Sequence, residues 1–285
     1  MEKIILERIN DLPKISEIIK LYNLSAKRYL SQNFILDLNL TNKIVKVSGD
    51  INNKNVIEIG PGPGALTRSI LKTGPKKLIV IEKDPRFFDA LSNLKKIVGK
   101  KLILINEDAL KINLNEIMEN NSIKEAIIIS NLPYSIATKL LIQWLPFPKQ
   151  ISKLTLMFQK EVADRIVAKV GTKKYGRLSV ITSLYGHNKI LMNIPSTAFY
   201  PRPKVNSAII QIIPIHKKHY NFNKKTIEMI TQTLFHQRRK TIKSSLKPLG
   251  DSIELCKLAS LDPSIRAEQV PPQGFARLSN IISSN

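Results

Sequence analysis

The fold of this chain is decided by residues 56–64, which read Val-Ile-Glu-Ile-Gly-Pro-Gly-Pro-Gly. An apolar, β-branched run that ends directly in glycines predicts a buried strand, a tight turn and a helix starting near Gly64. Glycine lets the backbone approach a ligand closely, and Gly60-x-Gly62-x-x-Ala65 satisfies the pattern of dinucleotide-binding sheets. The motif alone leaves two readings open, a ligand site and a plain tight turn.

Apolar runs and helical patterns alternate from about residue 55 to residue 159, which predicts a buried parallel sheet with intervening helices. The predicted strands are Val56–Ile59, Leu78–Glu82, Leu102–Ile105, Ala126–Ser130 and Leu154–Phe158, and the helices start near Gly64, Pro85, Leu114 and Ser135. The proline-rich segment Pro195–Pro203 leads into a further apolar strand, Asn206–Ile213, which we expect to close the sheet.

The pattern changes beyond Pro214, where residues from Lys224 onward are amphipathic and helical. We therefore expect an N-terminal helical extension at 1–25, an α/β domain at 26–214 and a small α-helical domain at 215–285. In the first 24 residues we expect one helix in a packing role, whose apolar face holds Ile15, Ile18 and Ile19.

The charge balance points to a polyanionic partner, because 45 Lys and Arg stand against 22 Asp and Glu, a formal net charge of +23. Nucleic acid is the leading candidate. The alternative is that a biased genome composition enriches the whole chain in lysine. That alternative is weaker for residues 237–247, which contain no acid and hold Arg238, Arg239, Lys240, Lys243 and Lys247. A helix with a solvated face is the other reading of this run.

Several classes of protein are disfavoured. The single cysteine, Cys256, rules out an internal disulfide framework, and the histidines, His187, His216, His219 and His236, lack metal-ligand spacing, so we expect no metal. No apolar run approaches the roughly 18 residues that a membrane span needs, and the first ten residues lack a secretory apolar core. We expect a cytoplasmic monomer with no membrane partner.

Two carboxylates follow the next predicted strands. Glu82 ends the second strand, 22 positions after Gly60, where a carboxylate can accept both hydroxyl hydrogens of a ribose. Asp108 follows the third strand, where it can accept from an adenine amino group, although a turn or helix cap is the alternative. The ribose spacing fits NAD and S-adenosylmethionine equally well. The fourth strand, however, ends in Asn131-Leu132-Pro133-Tyr134, which has no place in a dehydrogenase.

This tetrapeptide suits methyl transfer to an exocyclic adenine amine. The Asn131 amide oxygen and a backbone carbonyl, of Leu132 or Pro133, can accept the two N6 hydrogens and favour a more tetrahedral nitrogen aimed at a methyl sulfonium. Pro133 rigidifies the loop, and Tyr134 can stack on a base taken out of its helix or loop. An ordinary proline turn after a strand is the alternative.

Together these motifs resemble the KsgA-type small-subunit ribosomal RNA adenine N6,N6-dimethyltransferase family, from about Lys27 to Asn280. The matching segments are Ser31–Asp37, Glu58–Thr67, Asn131–Tyr134, Gln159–Arg165, Tyr175–Val180, Phe199–Ala208 and Phe235–Thr241. Ser31 replaces the family's usual Gly, and Ile35 its usual Leu. The resemblance implies a Rossmann-like class I methyltransferase sheet, in an α/β fold with a small C-terminal α-helical domain.

The resemblance also implies roles for individual residues. S-adenosyl-L-methionine would be bound by Asn33, Ile35, Gly60, Gly62, Glu82, Asp108 and Asn131. Phe199 would cover the target adenine opposite Tyr134. RNA would be bound by Arg238, Arg239, Lys240 and Lys243. The implied reaction dimethylates two adjacent adenosines near the 3′ end of small-subunit rRNA, and the implied partner is the immature small ribosomal subunit.

Three other functions compete with this interpretation. The large-subunit rRNA adenine methyltransferase that confers macrolide resistance shares the glycine loop and an Asn-x-Pro-aromatic motif, but the segments at 175–180 and 237–241 favour the small-subunit enzyme. A non-catalytic RNA-binding assembly factor is disfavoured by intact Glu82, Asp108 and Asn131. A nicotinamide oxidoreductase is supported by the glycine pattern alone.

Overall fold

The computed structural model describes residues 2–26, 32–217 and 221–284. The chain forms two compact units. The first, called the sheet unit below, comprises Met1–Lys160 and Ile190–Ile213, and the second, the helical unit, comprises Glu161–Lys189 and Pro214–Asn285. Residues 161–189 thus group with the C-terminal residues, whereas the domain boundaries proposed from the sequence, at 26–214 and 215–285, stay a prediction.

The strands form two sheets. Their bounds are β1 (Phe34–Ile35), β2 (Asn55–Ile59), β3 (Lys77–Glu82), β4 (Leu102–Asn106), β5 (Ala126–Ser130), β6 (Ile151–Gln159), β7 (Gly186–Ile194), β8 (Phe199–Tyr200) and β9 (Ser207–Pro214). The larger sheet has the order β4-β3-β2-β5-β6-β9-β7, with β2 to β6 parallel and β9 antiparallel to β6. Strands β1 and β8 form a separate antiparallel pair in which Ile35 faces Phe199.

The α-helices in the described part of the chain are α1 (Glu2–Asn10), α2 (Ile15–Leu21), α3 (Leu38–Val47), α4 (Ala65–Lys72), α5 (Arg86–Val98), α6 (Leu114–Asn120), α7 (Tyr134–Gln143), α8 (Lys160–Ile166), α9 (Arg177–Tyr185), α10 (Lys224–His236), α11 (Ile242–Ser245), α12 (Ser252–Leu258) and α13 (Pro272–Ser284). No helix in those residues combines the length and the apolar character that a membrane crossing requires.

The predicted α/β class and the predicted parallel strands are confirmed. Central strands read as continuous apolar runs because helices cover both faces of a parallel sheet, and Ile57, Ile79 and Ile128 are fully buried. Helices α4, α5, α6 and α7 begin within a residue of the predicted starts. The closing strand expected at 206–213 is β9, although it runs antiparallel to β6.

One expectation about secondary structure was wrong, and one strand was not predicted. The first 24 residues form two helices, α1 and α2, instead of one, because Pro13 separates them. The packing role expected for this region is observed, since Ile15 and Ile18 are buried and Ile19 packs against the core. Strand β7 was not predicted from the sequence at all.

Three aromatic rings pack together in the helical unit. Phe235 on α10 meets Tyr175 edge to face at 6.0 Å and stacks on Phe275 of α13 at 5.8 Å between ring centroids. The Tyr175 hydroxyl donates to the Val270 carbonyl at 3.0 Å. Two segments singled out in the sequence, 175–180 and 235–241, therefore supply part of this core.

Candidate active site

A cavity opens where β2, β3, β4 and β5 end, and the turns after these four strands form much of its wall. Parallel strands present their carboxyl ends at one edge of a sheet, so side chains far apart in sequence meet there. The cavity is lined by almost all of the cofactor-binding and catalytic residues predicted from the sequence: Asn33, Ile35, Gly60, Gly62, Glu82, Asp108, Asn131, Leu132, Pro133 and Tyr134.

The glycine turn has backbone angles that suit glycine and little space for side chains. Gly60 and Gly62 have φ angles of +66° and +53°, in the left-handed region that favours glycine. A Cβ atom at Gly62 would lie 3.2 Å from the Phe34 ring, and one at Gly60 would lie 3.4 Å from Cδ of Pro133. The turn therefore packs directly against both β1 and the loop that follows β5.

Glu82 occupies the end of β3 with 8% of its surface exposed. Its Oε1 accepts the Asp84 backbone N–H at 2.8 Å. Burial raises the pKa of this carboxyl, while backbone N–H groups of Asp84 and Gly62 act in the opposite direction. A buried carboxylate at the cavity wall is suited to accept hydroxyl hydrogens of a sugar.

Asp108 already has partners in the structure. Lys83 donates to its Oδ2 at 2.8 Å, and the Leu110 backbone N–H donates to its Oδ1 at 3.0 Å. The Lys83 hydrogen bond is the main reason that the pKa of Asp108 is lowered. The residue is thus a charged acceptor at the cavity, with lone pairs that can take one further donor. No pattern in the sequence singled out Lys83.

The loop after β5 is held by a hydrogen bond to Asn33, just before β1. The Asn131 side-chain Nδ2 donates to the Asn33 backbone carbonyl at 3.3 Å, which directs its Oδ1 to the other side of the amide group. The Pro133 carbonyl accepts the N–H groups of Ile136 and Ala137, at 3.1 and 3.0 Å, in the first turn of α7. The Tyr134 hydroxyl is hydrogen-bonded to Ser207, and burial raises its pKa.

Phe199 stands apart from the other predicted residues, because it does not line the cavity in the described structure. It pairs with Ile35 through β8 and is 5% exposed within the core. The ring next to it in sequence, Tyr200, is 58% exposed. The role of Phe199 in covering a base stays a prediction. Ser31 and Lys27 lie outside the described residues.

Glu58 is a cavity residue that sequence reasoning did not assign a role. It is 1% exposed, and its Oε2 accepts the Thr67 hydroxyl at 2.7 Å. Burial raises its pKa to about 8, and the nearby Glu82 carboxyl adds to this effect. The charged residue inside an apolar strand, Val56-Ile57-Glu58-Ile59, was the signal available in the sequence.

The basic run at 237–247 is not one continuous helix. Helix α10 ends at His236, residues 237–240 form a turn, and only Lys243 of the four predicted RNA-binding residues lies on a helix, α11. Arg239 and Lys240 are exposed. Arg238 is exposed as well, but its Nη2 donates within its own unit, to the carbonyls of Lys173 and Tyr175 at 3.0 and 2.9 Å.

The described residues contain no group of three or more His, Cys, Asp or Glu side chains arranged to hold a metal ion. The cavity also fits the donor pattern expected for the cofactor, with two acceptor carboxyls, Glu82 and Asp108, and a close-packed glycine turn.

Comparison with protein families shows which family this chain belongs to. Residues 23–284 match the model of the family described as ribosomal RNA adenine dimethylase. The chain belongs to this family. The family resemblance predicted from the motifs is thereby confirmed, and the adenine dimethylase match covers both compact units.

Relatives within the ribosomal RNA adenine dimethylase family align over nearly the whole chain. A ribosomal RNA small subunit methyltransferase A from Rhodospirillum rubrum is 43% identical over 96% of this chain and 93% of its own length. The protein of the same name from Xanthobacter autotrophicus is 41% identical, over 95% and 94%. The crystal structure of a dimethyladenosine transferase from Plasmodium falciparum has the same fold, with a TM-score of 0.72 and 23% identity over 87% of this chain and 96% of its own.

Proposed function

We propose that this adenine dimethylase transfers methyl groups from S-adenosyl-L-methionine to N6 of two adjacent adenosines near the 3′ end of small-subunit rRNA. The observation that carries the proposal is the meeting of Glu82, Asp108, Asn131 and Tyr134 at one cavity. Family membership supports adenine as the base. The names of the relatives, which specify the small subunit, favour it over the large subunit.

In this proposal the cavity holds the cofactor through groups on successive strands. Glu82 accepts hydrogen bonds from the ribose hydroxyls, and Asp108 accepts a hydrogen bond from the amino group of the cofactor's adenine. Asn33, Ile35, Gly60 and Gly62 complete the wall around it. When bound, S-adenosylmethionine supplies an electrophilic methyl group on a sulfonium. Two acceptor carboxylates favour that cation electrostatically.

The target amine is oriented by the loop after β5. The Asn131 Oδ1 accepts one N6 hydrogen, since its Nδ2 is occupied by the Asn33 carbonyl. Between the two backbone acceptors considered from the sequence, the structure favours Leu132. The Pro133 carbonyl already accepts two N–H groups of α7, which use both of its lone pairs. The Leu132 carbonyl accepts the second N6 hydrogen in this scheme.

These two acceptors pull the amine hydrogens out of the plane of the ring and direct the nitrogen lone pair toward the methyl group. The methylated amine is acidic enough to release its proton to water, so no strong base is required. Tyr134 stacks on the base, and its hydrogen bond to Ser207 on β9 fixes the ring. Pro133 holds the loop rigid between β5 and α7.

The proposed partner is the immature small ribosomal subunit, approached by a chain with a formal net charge of +23. We propose that the protein acts as a monomer in the cytoplasm, where such subunits are assembled.

A direct assay tests this function. Small ribosomal subunits from cells that lack the dimethylase are incubated with the protein and labelled S-adenosylmethionine, and the rRNA nucleosides are analysed by mass spectrometry. N6,N6-dimethyladenosine at two adjacent positions supports the proposal. Label in large-subunit rRNA alone would favour the macrolide-resistance type of enzyme. Binding of S-adenosylhomocysteine without any transfer would favour the assembly factor.

The matched pair Asn131→Ala and Asn52→Ala controls the assay. Asn52 is an exposed residue outside the cavity, so its variant should retain activity, whereas the Asn131 variant should lose it.

A further inference from the structure

Exposed cations occur in two separate segments of the helical unit. The loop between α8 and α9, residues 167–176, carries Lys169 and Lys173, and the turn after α10 carries Arg239 and Lys240. None of these four side chains forms an ion pair within the described residues. A surface of this kind attracts phosphate groups.

Arg238 joins the two segments. Its Nη2 donates to the carbonyls of Lys173 and Tyr175, at 3.0 and 2.9 Å, and lies 3.2 Å from Oε2 of Glu268. The guanidinium carbon lies 5.9 Å from the centre of the Phe235 ring. A planar guanidinium can lie against a ring while its N–H groups reach carbonyls, whereas a lysine side chain has no such plane and a different reach.

The 167–176 loop is also attached through Gly171. The Gly171 N–H donates to the Glu268 carbonyl at 2.7 Å. The acids beside the loop are neutralised, since Glu268 pairs with Arg238 and Asp164 pairs with Lys174. Lys173 therefore projects from a loop whose backbone is held next to the turn that bears Arg239 and Lys240. The positive charge of both segments is therefore offset by few nearby carboxylates.

We propose that Arg238 is a positioning residue that holds the 167–176 loop beside the 237–240 turn, so that Lys173, Arg239 and Lys240 bind one stretch of RNA backbone. Arg238 itself binds no phosphate, unlike the role that the sequence suggested for it. This inference rests on the proposed RNA substrate. Without the tether, the loop lysines remain charged but lose their fixed position relative to the turn.

The first experiment separates tethering from direct phosphate binding in the protein without RNA. Hydrogen exchange is measured at the Gly171 and Tyr175 amides in wild type, Arg238→Lys, Arg238→Gln and Arg239→Gln. Both Arg238 variants should exchange about tenfold faster at these amides, as expected when a charge-assisted hydrogen bond is lost. Arg239→Gln should not change them. Unchanged exchange in both Arg238 variants would overturn the proposal.

The second experiment uses a hairpin from the 3′ end of small-subunit rRNA and measures its affinity across salt concentrations. Lys173→Gln should lower the slope of log affinity against log salt by about 0.7–0.9, the value for one phosphate. Arg238→Gln should add nothing in the Lys173→Gln background, because both changes disable the same contact. Arg238→Lys, which keeps the charge, should resemble Arg238→Gln.

Two results would contradict the inference in this second experiment. Additive slope changes for Arg238 and Lys173, with Arg238→Lys behaving as wild type, would make Arg238 a phosphate ligand. If no variant of Lys173, Arg239 or Lys240 alters RNA affinity, the surface does not bind RNA. The proposed function fails separately, if wild-type protein produces no dimethyladenosine.

Discussion

Replacing Glu58 with Gln should change how the stability of the cofactor-free protein depends on pH. The Glu58 carboxyl is 1% exposed, and burial raises its pKa from 4.5 to about 8. Between these two values the folded protein keeps a proton that the unfolded chain releases. The stability that this proton contributes is fully present below pH 4.5 and is lost as the pH rises through 8.

The size of the effect follows from the shift. Each pH unit inside the window lowers the free energy of unfolding by about 1.4 kcal/mol, so that raising the pH from 5 to 7 should lower it by about 3 kcal/mol. Gln keeps the shape and a hydrogen-bonding oxygen for Thr67 but does not titrate. Glu58→Gln should therefore lack this part of the pH dependence, and its stability relative to wild type should increase with pH.

Denaturant unfolding at pH 5, 6, 7 and 8 measures this difference. The single tryptophan, Trp144, is buried in the sheet unit, so that its fluorescence reports the unit that contains Glu58. Glu119→Gln on α6, an exposed carboxyl in the same unit, is the matched control. Parallel curves for wild type and Glu58→Gln across this range would show that Glu58 is ionised in the folded protein and would refute the reasoning.

Three further changes test the site and the basic turn. Glu82→Ala should weaken S-adenosylmethionine binding roughly tenfold to a hundredfold, because hydrogen bonds to a charged group contribute about 1.5–3 kcal/mol, and calorimetry showing unchanged affinity would remove Glu82 from the ribose site. Asn131→Ala should bind cofactor and RNA but react far more slowly in single-turnover assays, whereas normal turnover at saturation with weak cofactor binding would make it a cofactor ligand only. Arg239→Gln combined with Lys240→Gln should lower the salt slope of RNA binding by about 1.4–1.8 units, with S-adenosylhomocysteine affinity unchanged, and an unaltered slope would place the RNA surface elsewhere.

The sequence predicted the sheet well where hydrophobic periodicity carried the information. Strands β2, β3 and β5 are apolar runs buried on both faces, and the carboxyl ends of the parallel strands brought Glu82, Asp108 and Asn131 to one edge as expected. Strand β7 was missed because its polar residues, among them His187, Asn188 and Lys189, interrupt the apolar pattern of an edge strand. Strands β1 and β8 have two residues each, too few for any periodicity.

Contacts that depend on tertiary structure were beyond the sequence. The basic composition of 237–247 suggested one phosphate-binding face, yet only three-dimensional proximity reveals that Arg238 bonds to carbonyls some 65 residues earlier in the chain. In the same way, Lys83 and Asp108 lie on neighbouring turns, and their pairing depends on the register of β3 and β4. Composition shows which charges a segment carries, but their partners depend on the tertiary structure.

The division of the chain into discontinuous units constrains the order in which the protein matures during synthesis. Helix α9, which leaves the ribosome early, belongs to the helical unit together with α10 and α13, which follow 39 or more positions later, from Lys224 onward. Until Phe235 and Phe275 have been translated, Tyr175 lacks its partner ring Phe235, and the Phe235–Phe275 stack cannot form. The nascent chain thus exposes an apolar surface that a chaperone can recognise. At the same stage the larger sheet is incomplete, because β9 has not been synthesised. A fragment that begins at residue 215 lacks α9 and Tyr175 altogether, so that Phe235 loses the ring it meets edge to face.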